Sequence, residues 1–246
     1  MLVALLSDMH ANRHAFGACL DHAQASGAER YMLLGDFVGY GADPAWAVAK
    51  AMELVADGAL AVLGNHDAAI NDPSEGMNDD ARYVIEWTRG ELGIAERRFL
   101  TGLPLTIEDE NRLFVHSDAS APQQWIYVLS VVEAARSLRA TRAQITFCGH
   151  THKPTIFSIT SASKMMVFTP VTDVAVPLLG LRRWLIVLGS VGQPRDGISA
   201  ASYAMFDTEK KEITFRRVPY DIEGAAAAMR RAKLPQFFAE RLFTGR

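Results

Sequence analysis

Residues 2–10 read LVALLSDMH, an apolar run that stops abruptly at a serine and an aspartate. Five consecutive apolar residues are typical of a strand buried on both faces of a parallel sheet. Similar runs recur at residues 31–34 (YMLL) and 60–63 (LAVL), and segments with helical spacing of apolar residues separate the three. This strand–helix–strand order predicts a parallel sheet with right-handed crossover connections.

The remaining residues predict more strands and a helical tail, all within one domain that spans residues 1–246. The chain has no internal repeat, low-complexity tract or Pro/Gly/Ser-rich linker. Helices are expected from Pro44, with Asp43 as N-cap, and from the capping box of Ser130 and Glu133. Asp221 begins the alanine-rich helical tail. A further helix is predicted at residues 79–100, and further strands at residues 105–108, 112–115, 145–148, 155–159, 165–168, 184–188, 202–206 and 212–218, the last two as an antiparallel hairpin.

Composition excludes several classes of protein. With 49% hydrophobic and 22% charged residues the chain is globular, and its net charge of −3 disfavours binding to polymeric nucleic acid. Two cysteines are too few for a disulfide framework or a cysteine-rich zinc site. Because no apolar run approaches the roughly 20 residues of a membrane span, we expect a cytoplasmic protein with no membrane partner.

Polar side chains follow five of the predicted strands, at the point where each strand ends. Ligands bind outside the carboxyl ends of strands in open α/β sheets, so we expect these side chains to converge on one site. Five of the seven histidines belong to them. The five segments are DMH at residues 8–10, GD at 35–36, GNHD at 64–67, His116, and GHTH at 149–152.

The donor types in these segments favour metal binding. Imidazole, carboxylate and amide oxygen together suit Mn²⁺, Fe²⁺, Co²⁺, Ni²⁺ or Zn²⁺. In Asp8-x-His10 and His150-x-His152 an extended backbone directs both side chains to the same side. Taken singly, most of the motifs also fit a structural role: residues 64–67 could form a hydrogen-bonded turn, and His116 could be a core histidine. The metal-site prediction depends on all five occurring together at strand ends.

In this order, the five motifs resemble the calcineurin-like metallophosphoesterase superfamily. Residues 189–196 (GSVGQPRD) and 219–221 (PYD) resemble its small prokaryotic phosphodiesterase-like branch. The resemblance implies an α/β fold of the α+β sandwich type. In it two mixed β-sheets pack face to face with helices outside, in four layers αββα, and residues 221–246 form a C-terminal helical tail.

The resemblance also implies a centre of two divalent metal ions (Mn, Fe, Zn, Ni or Co). A hydroxide that bridges the ions would attack phosphorus in line, and His66 would protonate the leaving oxygen as general acid. One metal would be held by Asp8, His10, Asp36 and His152, and the other by Asp36, Asn65, His116 and His150.

The chain departs from the protein Ser/Thr phosphatase branch at two positions. Gly39 stands where that branch has an acid that orients the catalytic histidine, and Tyr40 stands where it has an arginine that binds phosphate. These departures disfavour a protein phosphatase and leave open what orients His66. Adjacent side chains rarely face each other, so we do not expect Asp67 to do it.

Four further residues are candidate substrate contacts: Asn12, Arg13, Tyr40 and Arg195. Three of them also have a structural alternative, since Asn12 could cap a helix, Arg195 could pair with an acid and Tyr40 could pack on the rim. The predicted function is phosphodiester hydrolysis of a small phosphate-ester substrate. The alternatives are phosphomonoester or dinucleoside polyphosphate hydrolysis, or a non-catalytic metal-binding interaction platform. The sequence does not indicate an oligomeric state.

Overall fold

Two six-stranded β-sheets form the centre of the computed structural model, which describes residues 1–71 and 79–246. Most of the strands coincide with the apolar runs of the sequence. In chain order they are β1 (Leu2–Leu6), β2 (Arg30–Leu33), β3 (Leu60–Ala61), β4 (Thr106–Asp109), β5 (Arg112–Val115), β6 (Ile145–Cys148), β7 (Thr155–Thr160), β8 (Met165–Phe168), β9 (Val176–Pro177), β10 (Arg182–Val187), β11 (Ala201–Asp207) and β12 (Glu212–Val218).

Helices connect the early strands and form the tail. They are α1 (Arg13–Ala25), α2 (Pro44–Ala56), α3 (Asn65–Ala69), α4 (Asp79–Glu91), α5 (Ile94–Gly102), α6 (Val131–Arg139), α7 (Ile222–Arg231) and α8 (Gln236–Thr244), with a 3-10 turn at Pro122–Gln124. In residues 1–71 and 79–246, none of the helices is both long and apolar enough to cross a bilayer.

The first sheet has the order β3-β2-β1-β11-β12-β9. β1, β2 and β3 run parallel to one another, as predicted from the strand–helix–strand order. β11 pairs antiparallel with β1, and β11 and β12 form the predicted hairpin. The second sheet has the order β4-β5-β6-β10-β7-β8 and is also mixed, because β5, β6 and β10 are parallel while β4, β7 and β8 are antiparallel to their neighbours.

The two sheets pack face to face through aliphatic and aromatic side chains. Leu5 of the first sheet and Phe147 of the second belong to the same buried cluster. Alternate residues point outward, so Leu6 packs against Phe16 of α1. On the far side, Leu138 of α6 packs against the outer face of the second sheet. The layers are therefore helix, sheet, sheet, helix, which confirms the predicted two-sheet sandwich.

Three local predictions need correction. The helix predicted at residues 79–100 is two helices, α4 and α5, because Gly93 is extended and begins a new helix. Asp43 occupies the N-cap position of α2, but its side chain makes no capping hydrogen bond. Ladder pairing of the third strand ends at Ala61, two residues earlier than expected.

The C-terminal helices pack beside the strand ends. Asp221 caps α7 by accepting a hydrogen bond from the backbone N–H of Gly224 at 2.8 Å. The ring of Phe238 in α8 lies 4.8 Å from the ring of Tyr40, in the loop after β2. The predicted helical tail thus exists and contacts one of the loops that carry the polar motifs.

Candidate metal centre

The carboxyl ends of strands from both sheets meet at one place, as the sequence predicts. The imidazole Nδ1 of His116, after β5, donates to the backbone carbonyl of Leu34, after β2, at 2.6 Å. This bond joins the strand ends of the two sheets directly. The predicted ligands are buried: Asp8, Asp36 and His116 are at most 1% exposed.

A first group of predicted ligands comes from the loops after β1 and β6. Nε2 of His152 lies 3.2 Å from Oδ1 of Asp8 and 3.0 Å from Nε2 of His10. Nε2 of His10 lies 3.9 Å from the same Asp8 oxygen. These three ligand atoms all lie within 4.8 Å of one another, which is close enough for a single cation to contact all three.

A second group comes from the loops after β2, β3, β5 and β6. Nε2 of His116 lies 3.3 Å from Oδ2 of Asp36, 3.2 Å from Nδ1 of His150 and 3.1 Å from Oδ1 of Asn65. Oδ2 of Asp36 is also 3.8 Å from Nε2 of His10, so this carboxylate lies between the two groups. The sequence-predicted ligands are therefore all brought together.

Backbone carbonyls hold the four histidine rings in one tautomer. A carbonyl oxygen can only accept, so the ring nitrogen that faces it must carry the hydrogen. The opposite nitrogen of each ring lies in the cluster with the buried carboxylates, where it can ligate a metal once it carries no proton, as in metal-ligating histidines. The donor–acceptor pairs are His10 Nδ1 with Val38 (3.1 Å), His116 Nδ1 with Leu34 (2.6 Å), His150 Nε2 with Trp125 (2.8 Å) and His152 Nδ1 with Gln193 (2.7 Å).

The buried charges of the cluster interact strongly with one another. Burial lowers the pKa of His150 to about 3. Burial opposes protonation of His116 too, but the adjacent Asp36 carboxylate raises the pKa of this imidazole to about 9. The pKa of Asp36 is held well below its usual value, against its burial, mainly by His116. Two buried carboxylates surrounded by imidazole nitrogens form an anionic site. Bound divalent cations would neutralise its negative charge.

The backbone at the centre is strained. Five of the predicted ligands have φ between 48° and 67°, in the left-handed region: Asp8, His10, Asp36, His150 and His152. Such residues cost about 1–3 kcal/mol each and cluster at functional sites. The extended backbone expected at residues 8–10 and 150–152 is therefore wrong: the left-handed conformation turns the chain sharply at the end of each strand, where the ligand side chains meet.

His66, the predicted general acid, lies beside the ligands. Its backbone N–H donates to Oδ1 of Asp36 at 2.9 Å. Its Nε2 forms a hydrogen bond of 3.1 Å with the Tyr40 hydroxyl, and within residues 1–71 and 79–246 its buried Nδ1 has no hydrogen-bond partner. Burial lowers the pKa of the His66 ring.

Asp67 has a different role from its neighbour. Its carboxylate accepts backbone N–H bonds from Phe37, Val38 and Gly64, at 2.8, 3.2 and 3.1 Å, and so fastens the loop after β2 to the loop after β3. Burial, assisted by the charge of Asp36, raises the pKa of Asp67 to about 7. Its hydrogen bonds hold the loop that carries Asp36.

The candidate substrate contacts are placed differently from one another. Asn12 accepts from the N–H of Ala15 at 3.1 Å and so caps α1, and its amide also donates to the Gly192 carbonyl at 2.9 Å. The guanidinium of Arg13 packs over the ring of Trp46, 5.3 Å from its centroid.

Arg195 lies next to the centre, with its guanidinium 5.6 Å from the centroid of the Tyr40 ring. The Tyr40 ring contacts His66 and His10, with centroid distances of 4.5 and 4.6 Å. Tyr40 and Arg195 thus border the cluster.

Sequence reasoning missed the groups that orient the ligands. Ser190 is one, since its hydroxyl donates to the backbone carbonyl of Asp8 at 2.8 Å and accepts from the N–H of Gln193. The remaining groups are the main-chain carbonyls. The residues that supply these carbonyls have unrelated side chains, so no sequence pattern identifies them. Ser190 and Gln193 do lie in the segment 189–196, which resembles the phosphodiesterase-like branch.

Comparison with known proteins agrees with this geometry. Residues 1–211 match the sequence model of the calcineurin-like phosphoesterase superfamily domain. Protein MJ0912 of Methanocaldococcus jannaschii is 33% identical over 253 residues, covering 100% of this chain and 98% of the relative.

Solved structures extend the similarity to the whole fold. A metallophosphoesterase from Sphaerobacter thermophilus superimposes with a TM-score of 0.88 at 33% identity, covering 100% of both chains. Protein PH1004 from Pyrococcus horikoshii shares the fold, with a TM-score of 0.78 at 20% identity over 100% of this chain and 98% of the other. The chain therefore belongs to the calcineurin-like phosphoesterase superfamily, and it is a metal-dependent phosphoester hydrolase.

Proposed function

We propose that this protein is a phosphodiesterase that uses two divalent cations. The observation that carries the proposal is the set of four histidines, each with one nitrogen hydrogen-bonded to a backbone carbonyl and a place in a cluster with a buried carboxylate. The first cation is assigned to Asp8, His10, Asp36 and His152, and the second to Asp36, Asn65, His116 and His150.

Asp36 is assigned as the shared ligand, because one of its oxygens lies near both groups. Oδ2 is 3.3 Å from Nε2 of His116 and 3.8 Å from Nε2 of His10. When bound, two divalent cations lower the pKa of a water molecule and offset the charge that develops on a phosphoryl group. The chain's own residues bind the substrate and provide the proton.

His66 is assigned as the general acid. Its ring lies 5.0 Å from that of His10, so it is next to the first metal group. Nδ1 faces the backbone of Gly39, since a Cβ added there would lie 2.8 Å from Cγ of His66. Nε2 is therefore assigned as the atom that gives a proton to a leaving oxygen. The Tyr40 hydroxyl, which is hydrogen-bonded to Nε2, holds the ring in place, and proton transfer requires Nε2 to exchange this bond for one with the leaving oxygen.

Arg195 and Tyr40 are assigned to substrate binding at the border of the centre. Arg195 carries a permanent positive charge at the Tyr40 ring, which suits an anionic phosphate. For Asn12 the capping bond to Ala15 supports a structural role. Diester substrates are preferred in the proposal because residues 189–196 and 219–221 resemble the phosphodiesterase-like branch of the superfamily.

The first experiment measures metal content and turnover together. Purified protein is loaded with Mn²⁺, Fe²⁺, Co²⁺, Ni²⁺ or Zn²⁺, and hydrolysis of bis(4-nitrophenyl) phosphate is compared with that of 4-nitrophenyl phosphate. We expect two metal ions per chain and a higher kcat/KM for the diester.

The matched variants are His150→Ala and His14→Ala. His150 is an assigned ligand, whereas His14 pairs with Asp221, at 3.6 Å. We expect His150→Ala to lose at least one metal ion and most activity, and His14→Ala to keep both. Full metal content and activity in His150→Ala would overturn the assignment. Metal binding without turnover of any phosphate ester would support the interaction-platform alternative instead.

A further inference from the structure

A groove of about 720 Å³ opens beside the metal centre, next to the loop that follows β6. Sites of several hundred Å³ accept molecules of nucleotide size. The groove is lined by residues 153–155, residues 195–197, Thr169 and Arg246. It therefore has room for a substantial part of a small substrate whose reacting phosphate lies at the metals.

Positive charge dominates this groove, which we call the cationic groove. Lys153, Arg195 and Arg246 line it. Among the lining residues that the structure describes, Asp196 is the one acid, and its carboxylate is paired with Arg217 and only 20% exposed. The chain as a whole carries a net charge of −3, so this positive patch is local. A concave surface of one sign concentrates ligands of the opposite sign.

The cationic groove is connected to the metal centre through His152. Lys153 follows this ligand directly, and the backbone N–H of Arg195 donates to the His152 carbonyl at 3.3 Å. The guanidinium of Arg195 lies over the ring of Tyr40, and the Tyr40 hydroxyl is hydrogen-bonded to His66. A single small molecule could therefore extend from the metals into the groove.

Arg195 has an unused donor. One terminal nitrogen of its guanidinium donates to Oε1 of Gln193 at 3.0 Å, but the buried Nε has no hydrogen-bond partner in the described part of the chain. A buried N–H without an acceptor costs about 1–3 kcal/mol. The Arg195 side chain is thus fixed by Gln193 and Tyr40 at the edge of the cationic groove, where its positive charge attracts an anionic group.

Arg246 is held against the groove by the end of the tail. The backbone N–H of Gly197 donates to the carbonyl of Gly245 at 2.8 Å. A Cβ added to Gly197 would lie 3.8 Å from Nε of Arg246, so the side chain follows the groove wall. The segment after α8 therefore places the guanidinium of Arg246 beside a site built mainly from loops.

We propose that the cationic groove binds a second phosphate of the substrate, one that is not hydrolysed. The inference rests on the proposed function and narrows the substrate to phosphodiesters or polyphosphates that carry a further phosphate group.

The test compares two substrates that differ only in that phosphate. Thymidine 5′-(4-nitrophenyl phosphate) has one phosphate, and its 3′-phosphorylated form has two; both report 4-nitrophenol release from the 5′ side. We expect the wild-type kcat/KM to be roughly tenfold higher for the two-phosphate substrate, as for one added ion pair near a protein surface. A ratio near one in the wild type would overturn the proposal.

Lys153→Glu reverses a charge in the groove, and Lys210→Glu reverses one at the β11–β12 turn, at the opposite end of the sheet from the metals. We expect the substrate ratio to fall to about one or below in Lys153→Glu and to stay at the wild-type value in Lys210→Glu. Arg246→Ala should lower the ratio by a smaller factor. An unchanged ratio in Lys153→Glu would contradict the proposal.

Binding to metal-free protein separates this inference from the hydrolase assignment. Calorimetry should give a Kd for thymidine 5′-phosphate roughly tenfold lower than for thymidine, because without metals the cationic groove is the site that attracts the phosphate, and the difference should be lost in Lys153→Glu. If the wild type hydrolyses neither substrate, the proposed function fails. The difference in Kd still tests whether the cationic groove binds a phosphate. Equal Kd values would overturn phosphate binding by the cationic groove and leave the hydrolase assignment unaffected.

Discussion

The hydroxyl of Tyr40 lies 3.1 Å from Nε2 of His66, and the two rings pack edge to face with centroids 4.5 Å apart. On its other side Tyr40 packs against Phe238 of the C-terminal tail. The residue before Tyr40 is Gly39, so the chain lacks the acid with which protein Ser/Thr phosphatases orient the catalytic histidine. A tyrosine held by the tail thus contacts the proposed general acid.

His66→Ala tests that acid through its dependence on the leaving group. We expect kcat for a methyl ester of thymidine 5′-phosphate to fall about 10²- to 10⁴-fold, which is the usual contribution of a general acid. The fall should be much smaller for a 4-nitrophenyl ester, because nitrophenolate leaves without a proton. Metal analysis should show unchanged metal content. Equal losses on both esters would argue against proton donation by His66.

Tyr40→Phe tests whether the hydroxyl positions His66. The phenyl ring keeps the packing but loses the hydrogen bond, so we expect kcat for the methyl ester to fall about tenfold, less than in His66→Ala. The fall should again be larger for the methyl ester than for the nitrophenyl ester. Tyr83→Phe, at a half-exposed residue in α4, is the control and should behave as the wild type. A purely structural role for Tyr40 would lower both rates equally.

Gly39 is required because the His66 ring occupies the space next to it. Gly39 has φ +89°, and a Cβ there would overlap the His66 ring. We expect Gly39→Ala to lower kcat at least tenfold, since the ring must move. Gly27→Ala is the matched control, with φ +82° and open space. Both should lose about 1–2 kcal/mol of stability from backbone strain, but only Gly39→Ala should lose activity.

Gly149 allows the loop after β6 to approach Asp8. A Cβ on Gly149 would overlap Oγ of Ser7 and lie 2.7 Å from Oδ2 of Asp8. We expect Gly149→Ala to destabilise the fold by about 1–3 kcal/mol and to lower metal content, measured by thermal unfolding and elemental analysis. Gly90→Ala, in a helix with open space around it, should be neutral or slightly stabilising. Full metal occupancy in Gly149→Ala would contradict this account of the site.

Removal of the metals should destabilise the protein. A cation at about 100 times its Kd adds roughly 2.7 kcal/mol to the free energy of unfolding, so chelation should lower Tm by about 5–10 °C. His116, whose pKa is raised to about 9 by Asp36, must lose its proton to bind a metal. The stabilisation by added Mn²⁺ should therefore weaken as the pH falls from about 8 to about 5.5. Calorimetry with and without Mn²⁺ measures both effects. An identical Tm with and without metal at pH 8 would count against a metal centre.

Much of the sandwich and of the ligand set could be predicted from the order of residues. Apolar runs such as residues 2–6 are buried as strands of a sheet. The polar residues that follow them then lie at the carboxyl ends of those strands. Asp8, Asp36 and His150 carry side chains whose chemistry is visible in the sequence. The split into α4 and α5 escaped prediction because Gly93 is a weak signal of a break inside a helical pattern.

Residue types and their order along the chain determined the sheet-forming runs, the metal-binding chemistry of the strand ends and the family. Tertiary structure decided how that chemistry is oriented. Every residue has a carbonyl, so only position in space selects Val38, Leu34 and Trp125 as acceptors for the histidine rings. The contact of Tyr40 with His66, and the gathering of positive charge beside His152, likewise arise from segments that are distant in sequence and meet only when the two sheets and the tail pack together.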